Sequence, residues 1–371
     1  MGKIKAFFLK KGVKPSLKLY FIDAMGAMAQ GLFASLLIGT ILGTIGEKFG
    51  IEFLGEIAAF AKNGYVVGAS IGIAAAFALG AQGLVLYSSV AVGAIGYMLG
   101  AQIHLADGSV INYTAGPAGA FFAVLVAAEL GKLVYKSTKV DIIVTPVTVI
   151  LSGYGISRLI CPAIAYVMYY LGDFINTATE LRPFAMGIIV SVVVGIILTL
   201  PISSAAICAM IGIAGLAGGA ATAGCCAQMV GFAVMSFKEN RWGGLVSQGL
   251  GTSMLQMPNI VRNPRVWIAP TLASAITGPI ATCVFKLEMN GAPINSGMGT
   301  CGLCGPIGVW TGWLAPSEDA IAKGAEAISA TGFDWLGLVL VAIVLPAILA
   351  PAINMVCRRL GWVKDGDLKL D

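Results

Sequence analysis

Apolar runs of membrane-crossing length follow one another along nearly the whole chain, separated by short polar stretches. About 20 apolar residues cross the hydrocarbon core as a helix. At that length the pattern predicts about ten spans, at 21–43, 64–80, 84–103, 114–131, 142–171, 183–200, 203–221, 222–237, 266–286 and 335–357. The fifth is too long for one straight span and holds Pro146, Gly153 and Gly155, so a break in its middle is expected. Two further apolar pieces, 242–257 and 294–313, read as re-entrant segments.

Composition makes this reading exclusive. Hydrophobic residues are 58% of the chain and charged residues 11%, against the roughly 25% with which a soluble domain covers its surface. The expected class is an all-α polytopic membrane protein. The 49 glycines suit helices that approach closely in lipid. The start, MGKIKAFFLKKGVKPSLK, is basic, and its apolar cluster is too short for a signal-peptide core. It reads as a segment on the cytoplasmic face. With the N-terminus inside, most of the 23 basic residues fall on the inner side, including the 132–139 and 238–265 groups and Arg358, Arg359, Lys364 and Lys369. That is the bias that orients membrane proteins. It also accounts for the net charge of +5 with no nucleic-acid partner.

Two stretches share a pattern: SGYGISRLICP at 152–162 and SGMGTCGLCGP at 296–306. Upstream of each copy the order repeats. Ala29, Gly31, Ser35, Gly39, Ile41 and Leu42 align with Ala185, Gly187, Ser191, Gly195, Ile197 and Leu198, and Gly72-Ile73-Ala74 aligns with Gly212-Ile213-Ala214. The expected organisation is a basic segment at 1–20, a first membrane repeat at 21–171, a second at 183–357 and a cytoplasmic tail at 358–371. An odd number of spans per half inverts the second half, as in many transporters. Irregular backbone at membrane depth is tolerated only where protein or a cavity surrounds it. Broken segments near 150–162 and 294–313 therefore point to a midplane binding site. The alternative is a pair of tight turns with no ligand.

The candidate solute contacts are Ser152, Gly153, Tyr154, Gly155 and Arg158 in the first copy, and Asn295, Ser296, Gly297, Gly299, Thr300 and Cys301 in the second. Neutral polar groups beside open backbone suit an uncharged, hydroxylated ligand. Charges inside apolar runs are costly and mark function or ion pairs. Arg158 either binds substrate oxygens or pairs with Glu129, and Glu129, Asp23 and Glu288 are the acids placed to couple an ion or form a pair. Trp310 and Trp313 either stack on a ring or belong to an interfacial belt. His104 and Asp107 read as loop residues. Cys301 and Cys304 are one close pair with no matching partner pair, so no metal site is expected. No Walker loop and no Ser/His/Asp constellation is present, so neither a catalytic apparatus of the chain's own nor a cofactor is expected.

The run NPRVWIAPTLASAITGPIATCVFKLE followed by SGMGTCGLCGPIG, with the opening PSLKLYFIDAMGAMAQGLFASLLIGTI, resembles the membrane subunit IIC of bacterial sugar phosphotransferase systems. The branch it resembles includes membrane proteins named as regulators of perfringolysin production. The resemblance implies a homodimeric component of the bacterial inner membrane, with both termini cytoplasmic, that carries a carbohydrate inward. It also implies soluble IIA and IIB partners that deliver phosphate. No fused IIA or IIB domain is expected, because the membrane spans use nearly all of these residues, and the Glu and His of sugar-binding members have no evident counterpart. Two other readings stay open at the sequence level: a non-transporting membrane sensor and an ion-coupled carrier for an anion.

Overall fold

The computed structural model describes residues 7–104, 110–179, 181–317, 320–321 and 324–370. Helix dominates, and the strands among the described residues form a single antiparallel hairpin, β1 Gly100–His104 with β2 Val110–Thr114. Among the described residues, six helices are long and apolar enough to cross a membrane, or seven if the pair Glu52–Ala61 and Gly64–Ala78, bent by 55°, is one span. The ten expected spans are not reached, for three local reasons. The third stops at Met98, where the hairpin begins. The sixth is only 17 residues, Pro183–Thr199. The expected 203–221 and 222–237 spans are replaced by a short helix and one continuous helix, Gly215–Met235.

The chain divides into two compact units, Met1–Tyr169 and Tyr170–Asp371. In the first, α1 runs from Leu19 to Phe49, followed by α2 Glu52–Ala61, α3 Gly64–Ala78, α4 Leu84–Met98, the hairpin, and α5 Gly116–Val134. Close helix crossings rest on glycine. A Cβ on Gly93 of α4 would lie 2.2 Å from the Gly68 carbonyl of α3, and one on Gly119 of α5 would lie 2.2 Å from the Gly96 carbonyl. Lipid gives no hydrophobic drive between helices, so such backbone-to-backbone packing holds them together.

The long helix α6, Asp141–Thr179, corrects the expectation of a break near 150–162, because residues 152–162 are helical throughout. In hydrocarbon each freed backbone group costs several kcal/mol, so the helix that satisfies itself outweighs the weak helix propensity of Gly153 and Gly155. Gly153 serves packing instead: a Cβ there would sit 2.5 Å from the Val92 side chain. The 294–313 segment is broken as expected. It passes through 3-10 turns at Pro293–Gly297 and Cys301–Leu303 before α-helix resumes at Cys304. The two matched stretches therefore adopt different backbones. So do Gly72-Ile73-Ala74, inside α3, and Gly212-Ile213-Ala214, at a chain break where Gly212 has φ 55°.

The second unit contains α7 Pro183–Thr199, α8 Ser204–Met210, α9 Gly215–Met235, α10 Phe237–Val246, α11 Met257–Arg262, α12 Ile268–Pro279, α13 Cys304–Leu314, and a last span α14, Gly332–Arg359. Its centre is α9, buried along almost its whole length and packed against α7, α12 and α14. Gly224 of α9 abuts the Ser191 carbonyl of α7, where a Cβ would lie at 1.9 Å, and Gly278 of α12 abuts the Gly187 carbonyl at 2.1 Å. This glycine-lined contact brings backbone close to backbone and holds the broken segments beside it.

Candidate functional site

Two breaks in the second unit face one another. The first lies between α8 and α9, where Gly212 and Gly215 take φ of 55° and 62°. The second follows α12, where Lys286 turns the chain with φ 46° and residues 286–290 have no regular structure. They are stitched together by hydrogen bonds. The Met289 amide donates to the Gly215 carbonyl (3.0 Å), and the Gly215 amide donates to Asn290 Oδ1 (2.9 Å). Asn290 Nδ2 in turn donates to Glu288 Oε2 (2.9 Å).

A cavity of about 410 Å³ opens here, lined among others by Met186, Ile213, Leu216, Ala217, Glu288 and Asn290. Its chemistry follows from those groups. The first amides of a helix lack intrahelical partners and carry the positive end of the helix dipole. Asn290 takes the first of them, at Gly215, and passes the polarisation to the Glu288 carboxylate. Leu216 and Ala217, next in the turn, line the cavity. A half-buried carboxylate held by an amide, next to helix-end donors and an apolar wall, can bind a small polyol by its hydroxyls. Among the described residues that line it, none is a Lys or Arg.

Glu288 is the one sequence candidate in this cavity. Asn295, Ser296, Gly297, Gly299, Thr300 and Cys301 are brought together but do not line it. Asn295 packs against Gly308, which in turn meets Gly291 and Met289. A Cβ on Gly297 would meet the Ser204 carbonyl at 2.6 Å, and one on Gly299 would meet Cys225 at 2.7 Å. Ser204 Oγ donates to the Gly297 carbonyl (2.7 Å) and Thr300 Oγ1 to the Gly249 carbonyl (2.5 Å). Ser296 Oγ is fully buried without a hydrogen-bond partner. Cys301 and Cys304 are buried and form no disulfide.

The first-copy candidates lie on α6 in ordinary helical positions. Ser152 Oγ donates to the Val149 carbonyl (3.1 Å), and Gly155 has open space where a Cβ would stand. Arg158 is exposed and donates through Nε to Tyr154 Oη (2.9 Å), its guanidinium over the same ring. It is not the partner of Glu129. That role belongs to Lys132, one turn along α5, at 2.9 Å with both groups largely buried. Lys132 Nζ also donates to the Leu79 carbonyl at the end of α3 (2.9 Å) and to the Gly12 carbonyl of the N-terminal segment (3.1 Å). Asp23 is exposed at the start of α1. Asp107 and the side chain of His104 lie outside the described residues. Trp313 is buried and edge-on to Trp335, 5.2 Å away, and Trp310 lies tilted to the same ring at 6.2 Å.

Sequence reasoning missed a polar cluster inside the second unit. Gln228, fully buried in α9, accepts from Trp267 Nε1 (3.0 Å) and donates to Thr271 Oγ1 (3.3 Å). Thr199 Oγ1 lies 3.4 Å from Gln228 Oε1 and 2.8 Å from Ser253 Oγ. A lone amide in the middle of the run AATAGCCAQMVGF was the signal available. Such bonds are worth only about 0.6 kcal/mol each in membrane bundles, so the cluster fixes the placement of the 247–257 stretch more than it stabilises the unit.

The family model described as "Phosphotransferase system, EIIC" matches residues 22–370. The chain belongs to the phosphotransferase-system EIIC family. Comparison with curated proteins finds no match, and comparison with solved structures finds none. As an EIIC chain it is the membrane component of a phosphotransferase transporter. The cavity beside Glu288 is a candidate solute site.

Proposed function

We propose that this EIIC chain binds a small neutral carbohydrate in the cavity between the 211–217 and 286–290 breaks and carries it across the membrane. The observation that carries this reading is the Gly215–Asn290–Glu288 relay at the mouth of α9. It supplies a side-chain carboxyl acceptor for a sugar hydroxyl and helix-end donors for a second oxygen, against the apolar face of Met186 and Ile213. Broken helices whose N-terminal ends meet a solute are the usual construction of transporter sites. Asn295 to Cys301 serve as the rigid backing of the site. Movement alternates access to the site from the two sides of the membrane.

Glu288 has a second role in this reading. When soluble partners bring a phosphoryl group to the cargo, the group's bond to the donor side chain breaks as the new P–O bond to the sugar forms, and the sugar hydroxyl gives up its proton. A carboxylate within hydrogen-bond reach can receive that proton. IIA and IIB subunits are the donors implied by membership in the family.

A sugar that binds only the folded state raises the thermal midpoint of purified protein by mass action. With a panel of neutral hexoses, polyols and sugar phosphates, a neutral sugar should stabilise the wild type and fail to stabilise Glu288→Gln. Equal stabilisation of both proteins would remove Glu288 from the site. A response confined to sugar phosphates would replace the neutral-solute reading with an anion reading.

A further inference from the structure

The C-terminal segment beyond α14 does not trail away from the second unit. Leu368 is fully buried and Val363 nearly so. Side-chain amides grip its main chain. Asn240 Nδ2 donates to the Leu368 carbonyl and Asn240 Oδ1 accepts from the Leu370 amide, both at 2.8 Å. Gln256 donates to the same Leu368 carbonyl (3.0 Å), and Asn259 donates to the Lys369 carbonyl (2.9 Å). This is recognition of backbone, made by residues on one short stretch, 237–262, that itself changes helix type three times.

The grip is continuous with the interior. Gln256 Nε2 also reaches Gln248 Oε1 (2.8 Å), and Gln248 Nε2 reaches Ser236 Oγ and the Gly244 carbonyl, each at 2.9 Å. Gln248 and Gln256 are fully buried, so loss of the tail strips buried amides of acceptors and favours rearrangement of the whole stretch. The same stretch touches the 298–303 turn through Gly249 and Thr300, and the Gln228 cluster through Ser253.

A second, independent observation is strain. Arg241 has φ 52° and ψ −150°, a backbone conformation that suits glycine. It follows Asn240, the residue that holds the tail twice. Strained backbone persists where its surroundings over-determine it and is concentrated at switch regions.

We propose that residues 363–370 are a latch: docked, they hold the 237–262 stretch closed over the polar interior of this unit, and their release frees that stretch and speeds solute passage. The uptake consequence rests on the carrier reading; the structural coupling does not.

The test is hydrogen exchange by mass spectrometry on the full chain in lipid nanodiscs, with sugar uptake measured in parallel in liposomes. Leu368→Glu expels the buried anchor, and Asn240→Ala removes two tail bonds while keeping it, should the first variant not fold. Released, the 237–262 amides exchange about tenfold faster, α9 stays protected, and uptake rises. Arg241→Gly relieves the strain of the docked state and slows tail exchange about fivefold. A tail that exchanges freely while 237–262 stays protected overturns the latch, as does concurrent loss of protection in α9. Unchanged or slower uptake with 237–262 released overturns the gating half alone. A wild type that takes up no sugar at all counts against the carrier reading and leaves the exchange result standing.

Discussion

Gly219→Ala adds one methyl group to the face of α9 that meets Leu287. The new Cβ would lie 1.7 Å from the Leu287 carbonyl oxygen and 2.8 Å from its carbon, where real Cβ contacts stay above 3.0 Å. In a close-packed interior the peptide must therefore move by about 1.3 Å. It has little freedom to do so, because the Leu287 amide is bonded to the Ala281 carbonyl (2.8 Å) and the Met289 amide to the Gly215 carbonyl (3.0 Å). Glu288 stands between those two anchors. Overpacking of this kind costs about 1–3 kcal/mol of stability, which lowers the thermal midpoint but leaves a folded protein. A displacement of about 1 Å in a positioned group costs about 100-fold in the function it serves. We therefore expect the capture efficiency for the stabilising sugar, read as initial uptake rate at low concentration, to fall by about that factor. The control is Gly155→Ala on α6, where nothing lies within 4 Å of the added group. It should keep wild-type uptake. Normal uptake by Gly219→Ala with loss in Gly155→Ala would refute the placement of the site.

Three other outcomes follow from the geometry. Lys132→Met leaves Glu129 as a buried unpaired charge and removes donors from the Leu79 and Gly12 carbonyls. It should destabilise the protein by about 3–5 kcal/mol in detergent unfolding, with the Lys132→Met/Glu129→Gln double variant recovering most of that loss. Lys238, with Arg358 assisting, holds the exposed Asp365 carboxyl below its usual range. A depressed folded-state pKa means its contribution to tail docking is present above the ordinary value and lost as pH falls through the depressed one. Tail exchange, corrected for intrinsic rates, should thus be flat above about pH 4 and rise below it. Gln228→Leu removes the partner shared by Trp267 and Thr199. It should raise exchange in the 247–257 stretch while lowering the thermal midpoint only slightly, consistent with about 0.6 kcal/mol per bond.

Much of the fold was legible because lipid imposes one rule, the burial of backbone polar groups, on every span. Runs such as 332–359 and 116–134 can satisfy it only as helices. The same rule hid the difference between the two matched stretches. Glycine and proline in an apolar run signal a break or a packed helix, and Gly153 becomes a packing site only when Val92 arrives from α4. In the second copy, Gly299, Gly302 and Leu303 all take positive φ, and the dense glycine there did announce a turn. Glu288 is one of three acids, with Asp23 and Glu129, that the sequence offers in or beside its spans, and its relay is not legible there, since Gly215 and Asn290 are 75 positions apart. Glu129 went to Lys132 instead of Arg158 because a neighbour one helical turn away needs no tertiary arrangement to reach it. The docking of the tail is hard to read from sequence because the grip on residues 368–370 runs from side-chain amides to main chain across more than 100 positions.

The most direct measurement is sugar phosphorylation by wild-type and Glu288→Gln proteins in liposomes, supplied with phosphoenolpyruvate and the soluble phosphocarrier subunits, using the sugar that stabilises the purified protein. A carrier with its site beside Glu288 yields phosphorylated sugar inside the vesicles, and the Gln variant loses about 100-fold or more in rate, the range of a general base, while keeping its fold. Equal rates for the two proteins would contradict the site, and no phosphorylated product from the wild type would contradict coupled transport itself.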